Sequence, residues 1–394
     1  MKAEWERKKL ADVLKIQNGY AFDSKKFNSS RGMPLVRIRS LKLGMEAETW
    51  FDGPYDEKYV VKAGDLLIGM DGEFGCFEWK GNLSLLNQRV CRLQDFSEVL
   101  TPKFLFYGVN DYLKAIEDVT GFTTVKHLSS KQVLDIDFPV PPLPEQHRIV
   151  AILDEAFDGI ATAKANAEKN LQNARALFES HLQAVFTERG EGWMEAPLSE
   201  LCDIKHGYAF EGEFFSCAGD YVLLTPGNFY EKGGYRNRGE KQKYYIGEIP
   251  RDYVLKESDL LVAMTEQAAG LLGSPILVPE SGRFLHNQRL GLVTKKPGVS
   301  WTNDFFFHVF NTQAVRKEIH RTASGVKVRH TSPTKIGQVV VAFPTSIIEQ
   351  KWIVAMLESL ADETQRLESL YQRKLAALDE LKKSLLHQAF SGQL

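Results

Sequence analysis

The sequence predicts an α+β fold made of two copies of one unit, each a strand-rich domain followed by a long helix. Three observations predict this. The string Asn-Gly-Tyr-Ala-Phe at 18–22 returns as His-Gly-Tyr-Ala-Phe at 206–210, further matched strings follow in the same order, and each copy ends in a long stretch nearly free of Gly and Pro. Because solenoid repeats have periods of about 20–50 residues, this much longer period indicates a duplicated domain.

The repeat extends well beyond its opening string. Trp5 and Ile16 recur 188 positions later as Trp193 and Ile204. The offset then grows to 204, as expected when two copies differ by small loop insertions. The later matches are 64–70 with 258–264, 87–89 with 287–289, and 138–153 with 343–357.

Four segments follow from this pattern. Short apolar alternations separated by Gly, Asn, Asp and Pro turns predict strands at 34–41 and 59–70. Longer periodic stretches predict helices at 101–116 and 301–319. The predicted boundaries are 1–143 and 189–346 for the two domains, and 144–188 and 347–394 for the two long helices.

The long helices carry matching heptad patterns. Positions that step by four and three from Ile353 to Gln388 form an a/d seam, and the positions 204 lower repeat it from Ile149 to Ala184. One seam has mostly large side chains and the other is rich in Ala, which favours pairing of the two helices, each about 63 Å long. Connectivity allows parallel or antiparallel pairing, and the alternative is two unrelated helices that each pack on their own domain. The predicted contact residues are Ile149, Leu153, Ile160, Leu177, Ile353, Leu357, Leu360, Leu367, Leu378, Leu381 and Leu385.

Composition narrows the function classes. The 394 residues are 43% hydrophobic and carry a net charge of −2, so any nucleic-acid site must be a local basic patch. The four cysteines show no zinc-ligand spacing, which favours reduced structural thiols. The chain shows no signal core and no apolar run long enough to span a membrane, so we expect a cytoplasmic protein.

Local basic clusters occur in both copies, in polar loops where the copies differ most. Flexible Lys and Arg side chains in such loops suit phosphate contacts and base readout, whereas the alternative is an ordinary solvated loop. The tyrosine of each repeated Gly-Tyr-Ala-Phe string is also a candidate, because it could present a hydroxyl or a ring to a ligand. The predicted DNA-binding residues are Tyr20, Lys25, Lys26, Arg31, Arg37, Arg39, Lys42 and Lys126 in the first copy, and Tyr208, Arg236, Arg238, Lys241, Lys243, Lys327 and Arg329 in the second.

The repeated short strings also have structural interpretations. We expect Gly19 and Gly207 to occupy turns with positive φ, and the Phe of each string to close a core. The repeated Asn-Gln-Arg is expected to be mainly scaffold, because residues that read DNA should differ between copies that read different sequences.

Catalytic motifs are sparse. The sequence lacks a phosphate-binding Gly-rich loop with Lys and lacks the His-Glu-x-x-His metal motif. Asp71, Glu78 and Lys80 stand in the order of a metal-dependent nuclease site, but the second copy has no such triad. A nuclease using these three residues is therefore one alternative, and a coiled-coil interaction protein without a DNA role is another.

The chain resembles a known family, the specificity subunits of Type I restriction–modification systems. The resemblance rests on Phe-Pro-Val-Pro-Pro-Leu-Pro-Glu-Gln followed by Ile-Val-Ala-Ile-Leu-Asp (138–154), on the paired string at 347–357, and on the ending 383–394. It covers nearly the whole chain.

The resemblance implies the following. Each domain would be a target recognition domain that reads one half of a split, asymmetric DNA site. The two long helices would pair antiparallel as a spacer between the halves, and an approximate two-fold axis would relate the two domains. The chain itself would be non-catalytic and would hold no cofactor. Its partners would be double-stranded DNA, two methyltransferase subunits that bind S-adenosylmethionine, and restriction subunits that use ATP and Mg²⁺.

Overall fold

The chain folds into two compact units that each combine a domain with parts of both long helices. The computed structural model describes residues 5–42, 47–120, 126–267 and 270–394. Within these residues, no helix is both long and apolar enough to cross a bilayer.

The first unit comprises Met1–Ala167 and Arg373–Leu394, and the second comprises Glu168–Gln372. The first unit is therefore assembled from both ends of the chain, whereas the second is one continuous segment.

In chain order, the elements up to the first long helix are β1 Arg7–Lys9, α1 Leu10–Val13, β2 Lys15–Asn18, β3 Phe27–Asn28, β4 Met33–Val36, α2 Ile38–Lys42, β5 Trp50–Phe51, β6 Val60–Val61, β7 Leu66–Gly69, β8 Gly75–Glu78, β9 Ser84–Leu86, β10 Val90–Gln94, α3 Pro102–Val119, α4 Ser130–Leu134, β11 Asp137–Pro139 and α5 Leu143–Glu188.

Three small sheets build the described part of the first unit. The order β2-β10-β7-β8 forms an antiparallel sheet, β3-β5-β4-β9-β6 forms a mixed sheet in which β4 and β9 are parallel, and β1 pairs with β11. Strand β7 is buried at all four positions, as its continuous apolar run predicts. The main core joins one face of the first sheet to α3 and to both long helices, and it includes Phe104, Phe138, Ile149 and Leu153.

The second unit repeats this plan. Its antiparallel sheet has the order β13-β21-β17-β19, its second sheet has the order β14-β16-β15-β20, and β12 pairs with β23. The elements are β12 Trp193–Pro197, α6 Leu198–Leu201, β13 Cys202–His206, β14 Phe215–Ser216, β15 Tyr221–Leu223, β16 Tyr244–Tyr245, β17 Leu260–Ala263, β18 Thr265–Glu266, β19 Pro275–Leu277, β20 Phe284–Leu285, β21 Leu290–Lys295, α7 Asn303–Asn311, α8 Gln313–Thr322, β22 Arg329–His330, α9 Pro333–Gly337, β23 Val340–Pro344 and α10 Ile347–Phe390.

Equivalent registers confirm the internal repeat. Leu93 of β10 faces Ile16 of β2, and Val293 of β21 faces Ile204 of β13 at the matching position. The parallel pair β4 and β9 has its counterpart in β15 and β20. The predicted α+β class with two strand-rich domains is therefore confirmed.

Two predicted elements differ from the structure. The strand expected at 34–41 ends at Val36, and Arg37 and Arg39 lie at the start of helix α2 instead of alternating along a strand. The helix expected at 301–319 is interrupted at Thr312, whose extended backbone ends α7 and whose hydroxyl accepts the N–H of Val315 as the N-cap of α8. Because Thr competes for backbone hydrogen bonds, it favours such a cap over a helix interior.

A buried glutamine holds each long helix to its domain. Gln146 accepts the N–H of Thr101 at 2.9 Å and donates to the carbonyl oxygens of Val99 and Pro141 at 2.7 and 2.8 Å. Gln350 repeats the pattern with Thr302 at 2.9 Å, and with Ser300 and Pro344 at 3.0 and 2.9 Å. Both glutamines are 0% exposed, which explains why this glutamine occurs in both copies.

The long helices pair antiparallel within each unit. In the first unit, the ammonium of Lys382 lies 4.9 Å from the ring centre of Phe157, and Lys164 forms an ion pair with Asp379. In the second unit, Arg175 lies 3.1 Å from Glu368. Residue numbers rise on α5 as they fall on α10, which resolves the direction that connectivity leaves open.

The contact face of the helices drifts from the predicted heptad positions. Ile149, Leu153 and Ile160 of α5 are buried, and so are Ile353 and Leu357 of α10. Farther along, Ala167 and Ala174 of α5 and Thr364 of α10 also stay buried at seam positions, whereas the larger predicted residues are less enclosed. Leu360, Leu367, Leu378 and Leu385 are partly buried.

The drift corrects two predicted contacts. Leu177 and Leu381 are each 46% exposed. In the second unit the inward positions have moved by one residue, to partly buried Phe178 and fully buried Leu182. After about four heptads the accumulated drift is about 80°, close to the 100° that separates adjacent residues on a helix.

Candidate nucleic-acid interface

The two repeated strings meet in the same way in both units. In the first unit, the N–H of Tyr20 donates to Leu86 at 2.9 Å, and the N–H of Gln88 donates to the Tyr20 carbonyl at 3.0 Å. In the second unit, Tyr208 pairs with His286 and Gln288 at 2.9 and 3.0 Å. The Asn-Gln-Arg residues therefore form a turn, called here the shared turn (87–89 and 287–289), that lies against the Gly-Tyr-Ala-Phe string.

Close packing explains the glycine of the repeated string. A Cβ on Gly19 would lie 2.1 Å from the carbonyl oxygen of Asn87, and a Cβ on Gly207 would lie 2.2 Å from that of Asn287. Neither glycine has positive φ, so the predicted turn conformation is wrong. The requirement is a close approach of two backbones, which only glycine allows.

An exposed tyrosine stands on this frame in each unit. Phe22 and Phe210 are buried, as predicted, whereas Tyr20 and Tyr208 are 51% and 38% exposed. The ring of Tyr20 lies 5.2 Å from that of Tyr59, and the ring of Tyr208 lies 5.3 Å from that of Tyr253. These contacts orient the rings while their edges stay open to solvent.

A basic cleft borders the shared turn of the first unit. It has a volume of about 500 Å³, and Arg37 and Arg39 line it together with Gln88 and Arg89. Arg37 approaches the hydroxyl of Thr49 at 3.4 Å, and Arg39 approaches the carboxylate of Glu48 at 3.4 Å. Both guanidiniums are exposed, so these weak contacts leave them accessible to a ligand.

The other predicted cations of the first unit differ in their surroundings. Lys25, Lys26 and Arg31 are exposed on the loop between the repeated string and β4. Lys126 is instead held within the fold, since its ammonium donates to the carbonyl of Glu117 at 2.7 Å. The side chain of Lys42 lies outside the described residues.

An ion-pair network lies beside Arg89. Its guanidinium is 3.2 Å from one carboxylate oxygen of Asp71, and the other oxygen is 2.6 Å from Nδ1 of His127. Asp71 and His127 face each other as an isolated bridge, and Thr265 and His330 face each other in the second unit. The Asp71 carboxylate is therefore specific to the first unit, because Thr265 takes its position in the second.

The basic loop of the second unit is held by a buried amide network that the sequence analysis did not identify. Asn228 is 0% exposed and donates to Gln242 at 3.0 Å, and the N–H of Arg238 donates to the same Gln242 oxygen at 3.3 Å. Buried amides need such partners, so the pair fixes the path of the loop. An Asn in a Gly-rich basic loop, followed 14 residues later by Gln, was the available signal.

The side chains on this loop project outward. Arg236 lies 5.9 Å from the ring centre of Tyr230, and Lys243 lies 5.4 Å from that of Phe215. Arg236, Lys241 and Lys243 are exposed, whereas Arg238 is partly buried. Tyr230 and Arg236 also line a cleft of about 470 Å³.

The remaining predicted cations of the second unit separate into two kinds. Lys327 is exposed on the loop before β22. Arg329 lies 3.5 Å from Glu266, a carboxylate that is 3% exposed and accepts the N–H groups of Gly270 and Leu272 at 3.0 and 2.9 Å. Arg329 therefore neutralises a buried charge, and its prediction as a DNA contact is corrected to this internal role.

The three residues of the nuclease alternative are not brought together. Glu78 faces Leu66 at one end of the β7–β8 hairpin, whereas Asp71 follows the opposite end, where Gly69 faces Gly75. The two ends of the hairpin are three residues apart along the strand, which places Glu78 about 10 Å from the end that Asp71 follows. Within the described ranges, no group of three His, Cys, Asp or Glu side chains could hold a metal ion.

The thiols occupy apolar surroundings. Cys76, Cys91 and Cys202 are buried, Cys217 is exposed, and all four are unpaired. Burial raises the pKa of Cys91 and of Cys202 to about 12, so both stay protonated near neutral pH. Such thiols act as small apolar side chains in the core.

Comparison with known proteins identifies relatives along the whole chain. The family model described as "Type I restriction modification DNA specificity domain" matches residues 2–172 and 190–375. The specificity subunit of the Type I restriction enzyme EcoBI from Escherichia coli is 28% identical, and the alignment covers 99% of this chain and 86% of that protein. The specificity subunit of MjaVIII from Methanocaldococcus jannaschii is 21% identical over 99% of this chain and 93% of that protein.

Solved structures share the fold. A chain from a study of complex assembly and conformational transition of the type I R-M system superposes with a TM-score of 0.71 and is 19% identical, covering 100% of this chain and 99% of its own. The HsdS subunit from Thermoanaerobacter tengcongensis superposes with a TM-score of 0.62 and is 18% identical, covering 100% of this chain and 98% of its own.

Proposed function

Since this chain belongs to the Type I restriction modification DNA specificity family, we propose that it directs a Type I complex to a bipartite, asymmetric DNA site. Each unit acts as a target recognition domain for one half of the site. One observation carries the proposal. The two units share the frame of Gly-Tyr-Ala-Phe and the shared turn, while the basic loops attached to that frame differ completely.

A common frame with divergent loops is the arrangement expected of two readers with different targets. Side chains that contact base edges must match the bases they meet, whereas the backbone that positions them can be the same. In the first unit, Arg37 and Arg39 stand at the start of a short helix. In the second unit, Arg236 and Lys243 stand on a loop held by Asn228 and Gln242.

The proposal assigns chemistry to other subunits. The chain is non-catalytic and carries no cofactor, while two methyltransferase subunits supply S-adenosylmethionine and the restriction subunits use ATP with Mg²⁺. A net charge of −2 fits this division, since a few local phosphate contacts give binding that partner subunits strengthen. A cytoplasmic location belongs to the same proposal, because the DNA to be modified lies there.

The paired long helices would set the gap between the two half-sites. A helix of 46 residues such as α5 is about 69 Å long at about 1.5 Å per residue. At about 3.4 Å per base pair, this length corresponds to about 20 base pairs. The gap in the site is expected to be shorter than this upper bound, because DNA bends.

The deciding experiment compares methylation in a host with and without the gene. We expect a bipartite methylated sequence that appears only with the gene present. Replacing the second-unit loop 231–243 should change one half of that sequence and leave the other half and the gap unchanged. A change in both halves, or methylation without any split motif, would contradict the assignment of one half-site to each unit.

Charge reversal separates this function from a scaffold without a DNA role. Lys25→Glu with Lys26→Glu, and separately Arg236→Glu with Arg238→Glu, should each lower DNA affinity of the assembled complex by about tenfold or more, because each places negative charge near phosphates. Subunit assembly, followed by size-exclusion chromatography, should be unaffected. A complex that binds DNA normally with both pairs reversed would favour the scaffold.

The isolated chain should bind DNA weakly. With few phosphate contacts, its affinity should fall steeply between about 50 and 200 mM salt, as counterion release predicts. Fluorescence anisotropy with a labelled duplex measures this directly. Affinity equal to that of the assembled complex would show that the partners contribute little to DNA binding.

A further inference from the structure

The shared turn separates into a structural residue and two exposed residues. Asn87 and Asn287 are 6% and 7% exposed, and their carbonyl oxygens accept the N–H groups of Val90 and Leu290 at 2.9 and 3.0 Å. The side chain of Asn287 also accepts the N–H of Arg289 at 3.0 Å. Asn therefore accounts for the scaffold role that the repeat suggests.

The Gln and Arg of the turn have no comparable structural role. Gln88, Arg89, Gln288 and Arg289 are all exposed. In the described part of the chain, the side chains of both Gln residues and of Arg289 make no hydrogen bond or ion pair, and Arg89 contacts Asp71 at the surface. Folding thus explains the position of the turn, but it does not explain why both copies keep Gln followed by Arg.

The surroundings of these side chains suit an anionic ligand. Beside Arg89 lie the exposed guanidiniums of Arg37 and Arg39 on the same cleft. In the second unit, Lys205 lies 4.4 Å from the ring centre of Tyr253, which in turn contacts Tyr208. Amide, hydroxyl and guanidinium groups are the donors that commonly contact DNA phosphate oxygens.

We propose that Tyr20, Gln88 and Arg89, and their counterparts Tyr208, Gln288 and Arg289, form a phosphate-binding clamp shared by both units. This inference rests on the proposed function and specifies which contacts carry no sequence information. Identical residues on identical backbone suit the part of DNA that is the same in both half-sites, namely the sugar–phosphate backbone. The divergent loops would then read the bases while the clamp sets the register of each unit.

The test uses the complex assembled with its methyltransferase subunits. Arg89→Ala, Arg289→Ala and the double variant are compared with Lys15→Ala, which removes an exposed cation from the opposite end of the sheet that ends in the shared turn. Affinity is measured from about 50 to 200 mM salt on the cognate duplex, on duplexes altered in one half-site, and on unrelated DNA. Thermal unfolding of each variant confirms that the fold is retained.

A phosphate clamp predicts uniform losses. Each Arg→Ala change should weaken binding by about tenfold on every duplex and reduce the slope of log affinity against log salt by about 1, leaving the ratio of cognate to altered binding unchanged. Two results would overturn the clamp: a loss confined to the cognate half-site, which indicates base contact, or an effect no larger than that of Lys15→Ala.

The design also separates the clamp from the proposed function. If the wild-type complex shows no preference for any split site, the proposed function fails. The clamp is then judged on unrelated DNA alone, where the Arg→Ala variants must still bind more weakly than Lys15→Ala.

Discussion

At the scale of single residues, the two copies act as controls for each other. His286 occupies the position that Leu86 occupies in the first unit, and both are fully buried beside the shared turn. His286 donates from Nε2 to the carbonyl of Leu290 at 2.9 Å, and its Nδ1 is buried without a partner in the described structure. Burial lowers the pKa of His286 to about 4, so the ring stays neutral in the folded chain.

Replacing this histidine should reduce acid sensitivity. In the unfolded chain this histidine is protonated below its ordinary pKa of about 6.5, whereas in the folded chain it stays neutral down to about pH 4. Protonation therefore favours the unfolded chain, and the free energy of unfolding falls as the pH falls from about 6.5 to about 4. His286→Leu should therefore remove about 2 kcal/mol of the loss between pH 7.5 and 5. Chemical denaturation at both pH values measures this, and an unchanged pH dependence would show that His286 is protonated in the fold.

The repeated glycine should tolerate no side chain. Gly19→Ala places a Cβ against the backbone of the shared turn and should lower the free energy of unfolding by about 2–3 kcal/mol. Gly159→Ala is the matched control, because its Cβ would meet open space on helix α5 and should stabilise by up to about 1 kcal/mol. Equal effects of the two substitutions in denaturant melts would contradict the close-approach explanation.

At the scale of elements, the decisive contacts lie where a long helix begins. Gln146 and Gln350 each accept one backbone N–H and donate to two carbonyl oxygens of the segments that precede the helix. The entry of each long helix is thus fixed by hydrogen bonds rather than by the proline-rich string, which the second copy lacks.

Loss of one such amide should be costly. Gln350→Leu removes the hydrogen bonds to Thr302, Ser300 and Pro344. It should lower the free energy of unfolding by about 2–4 kcal/mol, because these backbone groups lose their partner. Gln172→Leu, at an exposed position of α5, should change it by less than about 0.5 kcal/mol. A small effect at both positions would mean that other contacts determine where α10 begins.

Sequence reasoning succeeded where local pattern decides and failed where distant contacts decide. Matched strings identified the repeat, and heptads identified both long helices. The role of Gly19 depends on a backbone 68 positions away, and Arg329 is paired with a buried Glu266 that looks like any other acidic residue. The helix seam was predicted at a fixed period of about 3.5 residues per turn, whereas a straight α-helix has about 3.6 and so rotates slightly less per residue, which shifts the contact face along the helix.

At the scale of the whole molecule, the end of the chain completes the first unit. The ring of Phe390 lies 5.0 Å from that of Phe104 and 6.0 Å from that of Phe138. It also fills the space beside Gly108, where a Cβ would lie 2.3 Å from the ring. The last turns of α10 are therefore part of the core of the domain that begins the chain.

Truncating this ring should weaken one unit selectively. Phe390→Ala should cost about 2–3 kcal/mol in the first unit, because it removes a partly buried ring that packs between α3 and β11. Hydrogen exchange followed by mass spectrometry should show faster exchange in β2, β7 and β10, with β13, β17 and β21 unchanged. Equal acceleration in both sheets would mean that the two units unfold together.

This discontinuity bears on the order in which a ribosome allows the protein to mature. The second unit is a continuous stretch, so all of its residues have been synthesised before Arg373–Leu394 are made. Most of the first unit is translated earlier, but its core stays incomplete until Arg373–Leu394 have been synthesised. The second unit can therefore reach its native state first, and a chain that stalls before Arg373 would expose the apolar surface of the incomplete first unit.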